Sequence, residues 1–207
     1  LKNLQIVTNR IHSTSNIDEL MLELSADVCG LFTADRLTIY AVGEDKASIV
    51  SKVKTGLNTL KNLRLPISEQ SIAGYVALSK SIVNIRDVYD AAELNAISPS
   101  LRFLKEVDKR TGYRTKQMLV APIMDASNND LIGVVQILNT KDGIPFSKIA
   151  EEGIKSLCET LAIAFTQRNK TPHGVRTKYD FLITDAVLSA QELELAQRTA
   201  RRKNLNL

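Results

Sequence analysis

The stretch Val107–Asp125, VDKRTGYRTKQMLVAPIMD, brings together side chains equipped for chemistry. Asp108 offers a carboxylate, and Thr111 and Thr115 offer hydroxyls that both donate and accept hydrogen bonds. They surround Gly112, and an apolar run from Met118 to Met124 follows at once. Two uses fit this spacing. Gly112 can end a helix while the threonines satisfy the turn behind it. Alternatively, the loop can close over a small ligand and hydrogen-bond it. Spacing alone leaves both open.

Other chemistries find little support. His12 and His173 stand alone, and Cys29 and Cys158 form no C-x-x-C pair, so no metal site is expected. Both cysteines sit in apolar helical contexts and read as buried free thiols, which suits a cytoplasmic, reducing compartment. No Ser-His-Asp set, Walker loop or paired-carboxylate site is visible. The net charge of +4 raises the question of nucleic acid. The basic residues are mixed with acids, however, even in the dense cluster Lys105–Lys116, which includes Glu106 and Asp108. The other cluster is Arg201-Arg202-Lys203. No helix-turn-helix, zinc-finger or RNP pattern accompanies either, so solvated helix faces account for the charge. No apolar run approaches the roughly 20 residues of a membrane span, and the start, LKNLQIVTNR, lacks a signal-peptide layout. The missing initiator Met suggests a piece of a longer protein.

The elements around the loop follow from periodicity. Leu4, Val7 and Ile11 have helical spacing, and Asn16 with Glu19 can form a capping box before a helix carrying Leu20, Leu24, Val28 and Leu31. ADRLTIYAV and ASIVSKVKT, joined by a turn at residues 44–46, read as an antiparallel hairpin. Pro66 marks a stop and Ser68 a helix N-cap, before a short helix with Ile72, Val76 and Ala77 on one side. SIVNI reads as a brief strand. The chain is mixed from Tyr89 onward, with Pro99 breaking any long helix and SLRFLKEVDKR helical. TKQMLVAPIMD and LIGVVQILNT form a second hairpin across ASNND. Ser147 can cap a long helix with Ile154, Leu157, Leu161 and Phe165 along its seam. A polar linker at 170–178 separates residues 1–169 from a shorter segment, 179–207, where Ser189 and Glu192 give another capping box. This order predicts an α+β domain with a mainly antiparallel sheet and helices packed on one face.

The segments LPISEQSIAGYVALSKSIVNIRDVYD, FLKEVDKRTGYRTKQMLVAPIMD and LIGVVQILNTKDGIPFS, in that order, resemble GAF domains. The likeness is closest to those of cyclic-nucleotide phosphodiesterases and bacterial adenylyl cyclases. It implies a central antiparallel sheet, a helical layer that often dimerises, and a loop-covered pocket on the opposite face. Asp108, Thr111 and Thr115 match positions that contact nucleotide in that family, and Ala73 matches a residue of the helix whose N-terminus faces the phosphate. A helix N-terminus suits an anion because its free N–H groups point outward. The implied ligand is a nucleotide or another small anion.

The family's signature is Asn-Lys, then Phe, then Asp-Glu. Asn139, Phe146 and Glu151 match it, whereas Thr140 replaces the Lys and Ala150 the Asp, two residues that pair as an internal salt bridge in the family. Lys54-Thr55 stands where an aromatic-acid pair helps read the purine. These departures imply weak or no cyclic-mononucleotide binding, and Lys54 could favour a more anionic ligand. Residues 179–207 resemble the opening of the N-terminal domain of type II secretion and type IV pilus assembly ATPases. That domain can bind cyclic di-GMP through an Arg-Leu-Gly start and a later Gln, where Lys178-Tyr179-Asp180 and Ala200 stand here. The expected function is a non-catalytic sensor acting as a homodimer on an attached ATPase. An interaction scaffold with a vestigial pocket and a true cyclic-nucleotide receptor are the alternatives. One GAF family reduces free methionine sulfoxide with clustered cysteines, a pattern that Cys29 and Cys158 do not reproduce.

Overall fold

The structure, a computed structural model, describes Gln5, residues 27–54 and residues 63–169. Apart from Gln5, the helix expected around Leu4–Ile11 lies outside the described residues, as do the linker and segment 179–207; of the helix expected to carry Leu20, Leu24, Val28 and Leu31, only residues 27–31 are described, and they are helical.

Six strands form one antiparallel sheet: β1 (Ala34–Val42), β2 (Ser48–Lys54), β3 (Arg64–Pro66), β4 (Val83–Ile85), β5 (Met118–Met124) and β6 (Leu131–Thr140). Their spatial order is β3-β2-β1-β6-β5-β4. The two expected hairpins supply the four central strands, joined along β1 and β6, where Thr38 pairs with Gln136 and Tyr40 with Val134. The edges are short: β3 pairs with β2 through Ser48–Pro66 and its neighbours, and β4 pairs with β5 from Val83–Val120 to Ile85–Met118. Pro66 ends an edge strand, where a missing N–H is tolerated.

Successive side chains of a strand point to opposite faces, and both faces here are covered. Leu37, Ile39, Leu119, Ala121, Ile123, Val135 and Ile137 meet the long helix α4 (Lys148–Asn169) and the helical residues around Val28 and Cys29. Ile154, Leu157 and Leu161 of α4 are at most 1% exposed against this face. Their apolar seam is thus used up by the protein's own sheet. Ile149 and Ile163 of the same helix are 77% and 48% exposed.

The opposite face carries Tyr40, Met118, Val120, Val134 and Leu138. It is covered by three short helices, α1 (Ile72–Ser79), α2 (Ala91–Ile97) and α3 (Lys105–Thr111). The cap of α1 is Ser71 rather than Ser68: Ser71 is extended and its hydroxyl accepts from Gly74 N–H at 3.0 Å. Ser68 instead accepts from Gln70 N–H in the preceding turn. Both serines precede an apolar run, and the close approach of Gly74 to the strand end selects the later one. Asp90 caps α2 through Ala92 and Glu93 N–H. Helix α3 begins at Lys105, four residues beyond the start of its apolar pattern, because residues 101–104 pack irregularly over the sheet.

Gly74 fixes how closely α1 lies on the sheet. A Cβ there would stand 2.5 Å from the Pro66 carbonyl oxygen and 2.7 Å from that of Ser68, both backbone atoms that cannot step aside. Gly74→Ala is expected to destabilise the domain by about 1–3 kcal/mol, the usual range for overpacking. A lowered midpoint of urea unfolding at unchanged slope checks this.

Candidate functional site

A cleft lies between the second face of the sheet and its short helices. Thr38, Tyr40, Met118, Gln136 and Leu138 form its floor, Ser71–Ala73 one wall, and Phe103, Leu104, Val107 and Asp108 its roof, with Thr115 beside Asp108. It holds about 560 Å³ of empty space counted out to the mouth, of which about 60 Å³ admits the centre of a water molecule. The enclosed part has room for a few waters, so a larger ligand would need the lining to shift.

Asp108 organises the roof. It is the buried residue of α3, 7% exposed, and its carboxylate accepts from the Tyr89 hydroxyl at 2.7 Å, Thr115 N–H at 2.9 Å and the Thr115 hydroxyl at 2.8 Å. Helix α3 is short and its N-cap Leu104 gives no side-chain cap, so these bonds hold it down. The Tyr89 ring is edge-on to Phe103 at 5.3 Å and carries the Arg114 guanidinium 3.5 Å above its centre. Burial and then the Asp108 bond push the Tyr89 hydroxyl pKa up, so it stays a donor. The hydroxyl pKa of Tyr40, buried on the floor, is also pushed up by burial, which a hydrogen bond with Gln136 opposes.

Both readings of the opening loop have a place here. Gly112 is left-handed (φ 67°) and ends α3, and the Thr111 hydroxyl donates back to Val107 C=O at 2.7 Å. Thr111 thus serves its own helix end and does not line the cleft. Asp108, Thr115 and Ala73 do line it. Lys54 ends β2, but its side chain and Thr55 lie outside the described residues. Asp108 is the only charged lining residue among the described ones, so support for an anion is confined to the N-terminal turn of α1. Thr38, Gln136, Tyr40 and Tyr89 are residues that the loop motif did not reveal. Thr38 and Gln136 had a signal, a polar residue at the buried phase of an otherwise apolar strand face. Tyr89 had none, since its role comes from distant partners.

Asn139, Phe146 and Glu151, the residues expected to match the signature, fall in two hydrogen-bonded groups outside the cleft lining. Asn139 has φ 50°, a conformation Asn tolerates better than most residues. Its side chain accepts from Lys116 and Gln117 N–H and donates to Arg114 C=O and the Tyr113 hydroxyl. That hydroxyl donates to Asp35 at 2.6 Å, and burial followed by this bond pushes its pKa up. Phe146 is buried in the main core, and Ser147 caps α4 by accepting from Ala150 N–H. Glu151 accepts from Asn84 at 3.0 Å, and the same Asn84 amide group donates to Phe146 C=O at 2.8 Å. The Thr140 hydroxyl donates to Ile144 C=O, and Ala150 packs half-buried against the core.

Among the described residues no group of three or more His, Cys, Asp or Glu could hold a metal ion, and no helix is long and apolar enough to cross a membrane. Cys29 and Cys158 are both buried, and burial, then Glu159, pushes the Cys158 thiol pKa far up, leaving it a poor nucleophile at neutral pH.

The chain matches no family model. It is 41% identical over 92 residues, 44% of its length, to a dual 3′,5′-cyclic-AMP and -GMP phosphodiesterase 11 of Drosophila melanogaster, of which it covers 6%. It is 28% identical over an alignment of 207 positions, taking in 92% of its length, to a probable 3′,5′-cyclic phosphodiesterase, pde-5, of Caenorhabditis elegans, of which it covers 27%. The chain thus spans about a quarter or less of these relatives. In three dimensions it matches the GAF domain of a phosphoenolpyruvate-protein phosphotransferase from Coxiella burnetii (TM-score 0.66, 19% identity, 81% of this chain and 93% of that one). A free methionine-R-sulfoxide reductase from Neisseria meningitidis also matches (TM-score 0.60, 14% identity, 79% and 86%). The fold is that of GAF domains.

Two expectations follow for Asn139 and for the Thr140–Ala150 pair. Asn139→Ala should cost more stability than Asn139→Gly by about 1 kcal/mol, because both lose the side-chain bonds but only Ala is strained at this backbone conformation. Chemical denaturation of the two variants reads the difference. Thr140→Lys alone should destabilise by leaving a half-buried ammonium without its counter-ion, and adding Ala150→Asp should recover much of the loss. Additive effects in this double-mutant cycle would show that the two positions no longer face one another.

Proposed function

We propose that the chain is a non-catalytic regulatory module whose cleft senses a small ligand. The observation that carries this is the polar set Asp108, Thr115, Thr38 and Gln136 lining a cleft in an otherwise apolar layer. Burying such groups is costly unless each is hydrogen-bonded, and a purely structural core would be filled more simply by aliphatic side chains. The lining suits a planar, donor-bearing molecule of nucleoside or nucleotide kind, with donors toward Asp108 and any phosphate at the N-terminal turn of α1. The phosphodiesterase names of the curated relatives make cyclic nucleotides the first ligands to test, while Thr140, Ala150 and Lys54-Thr55 favour weak binding of them. The likeness of residues 179–207 to secretion and pilus ATPases favours an ATPase in the same protein as the module's target, with 170–178 as the linker between them.

A thermal-shift panel of nucleosides, nucleotides and cyclic nucleotides tests the cleft. A specific ligand at about 100 times its Kd adds roughly 2.7 kcal/mol, several degrees of melting temperature, and Asp108→Asn should abolish the shift. Small shifts with cyclic AMP and cyclic GMP are expected. Micromolar binding of either would make the module a cyclic-nucleotide receptor, and no shift with any compound would favour the scaffold reading.

The module is further proposed to act as a homodimer. With the α4 seam occupied by the sheet, the pairing surface is the exposed Ile149 and Ile163, two heptads apart on one side of the helix. Light scattering at high micromolar concentration should show a dimer that Ile149→Lys with Ile163→Lys reduces to monomer.

A further inference from the structure

Gln117 sits where the roof loop enters β5 and is 2% exposed. Its side-chain amide faces away from the cleft lining and toward the β6–α4 connection. Nε2 donates to Gly143 C=O at 2.9 Å, and Oε1 accepts from Thr140 N–H at 3.3 Å. This pairing fixes the amide orientation, since the donor meets a carbonyl and the acceptor meets an N–H. The backbone of Gln117 is tied to the same strand end: its N–H reaches Asn139 Oδ1 at 3.1 Å and its carbonyl accepts from Asn139 N–H at 2.9 Å.

Two residues earlier, Thr115 closes on Asp108. Beyond Thr140, the chain runs through a turn with Gly143 left-handed at φ 75°, then Ile144 held by the Thr140 hydroxyl, and then the Ser147 cap of α4. From Lys141 to Ser147 only Phe146 is buried. A segment with so little buried apolar contact has low local stability and responds to small changes at its anchors. A chain of hydrogen bonds alone does not establish coupling, but a weakly held element between two anchors supplies what can shift.

We propose that Gln117 is a positioning residue that couples the roof of the cleft to the entry of α4. When Thr115 leaves Asp108, Gln117 loses its fixed approach, the Thr140–Gly143 turn slackens, and the first turn of α4 opens more often. Coupling of this kind is reciprocal, so loosening the start of α4 also loosens the roof. The device does not rest on which ligand the cleft takes, and its test uses none.

The experiment is amide hydrogen exchange by NMR on the full 207-residue chain, as found and with Thr115→Val, Gln117→Met and both. Thr115→Val is expected to speed exchange at Glu151 and Glu152 by about threefold to tenfold, the effect of losing an ordinary hydrogen bond, while Leu161 further along α4 is unchanged. In the Gln117→Met chain these first-turn amides should already exchange faster, and adding Thr115→Val should have no further effect on them. The proposal is overturned if Thr115→Val speeds the loop amides of residues 115–117 and leaves Glu151 and Glu152 untouched. An equal effect of Thr115→Val with and without Gln117 overturns it as well. Should Gln117→Met fail to fold, the single variant Thr115→Val still decides: uniform acceleration from Glu151 to Leu161 means general destabilisation and ends the proposal.

Discussion

The roof of the cleft depends on one buried carboxylate. Asp108 is nearly sealed from solvent and accepts hydrogen bonds from Tyr89 and Thr115, which belong to two separate loops. A buried charge without its bonds is expensive, so the arrangement tends to be either complete or absent. Helix α3 has few apolar anchors of its own, and this satisfaction of a charge takes the place of a hydrophobic seam. The Tyr89 ring, stacked under Arg114 and against Phe103, gives the carboxylate its partner and shields it from water.

The rest of the domain supplies the rigid frame that a hydrogen-bonded roof requires. The sheet is buried on both faces, and its alternation divides the side chains into a main core under α4 and a second layer that includes the cleft. On the second layer, β1 and β6 set Thr38 and Gln136 opposite one another as cross-strand partners. Their pairing places two hydrogen-bonding groups side by side on the cleft floor.

Legibility in the sequence followed the range of the forces involved. The four central strands and α4 were readable because their patterns run for seven residues or more and each residue repeats the same message about the core. Strand β3 and helix α2 were not separately readable. Three residues ending in Pro66 and seven residues after Asp90 carry too little periodicity, and both owe their form to what they lie against. The choice of Ser71 over Ser68 depended on contacts of Gly74 that no local pattern shows. At the site, Asp108 and Thr115 were visible through a resemblance, and their mutual bonding was not. Thr111 stood in the same motif but its hydroxyl closes the helix that Gly112 ends.

The brevity of the two outer strands has a consequence for life in a crowded solution. A sheet margin is a row of free N–H and C=O groups on which a foreign strand can grow. Strands β3 and β4 are three residues each, and Pro66 closes one of them with no N–H to donate. Little template remains at either margin for runaway stacking of chain upon chain, although the central strands Met118–Met124 and Leu131–Thr140 are apolar enough to stack if exposed. Colloidal safety is thus supplied by the dullest elements of the sheet.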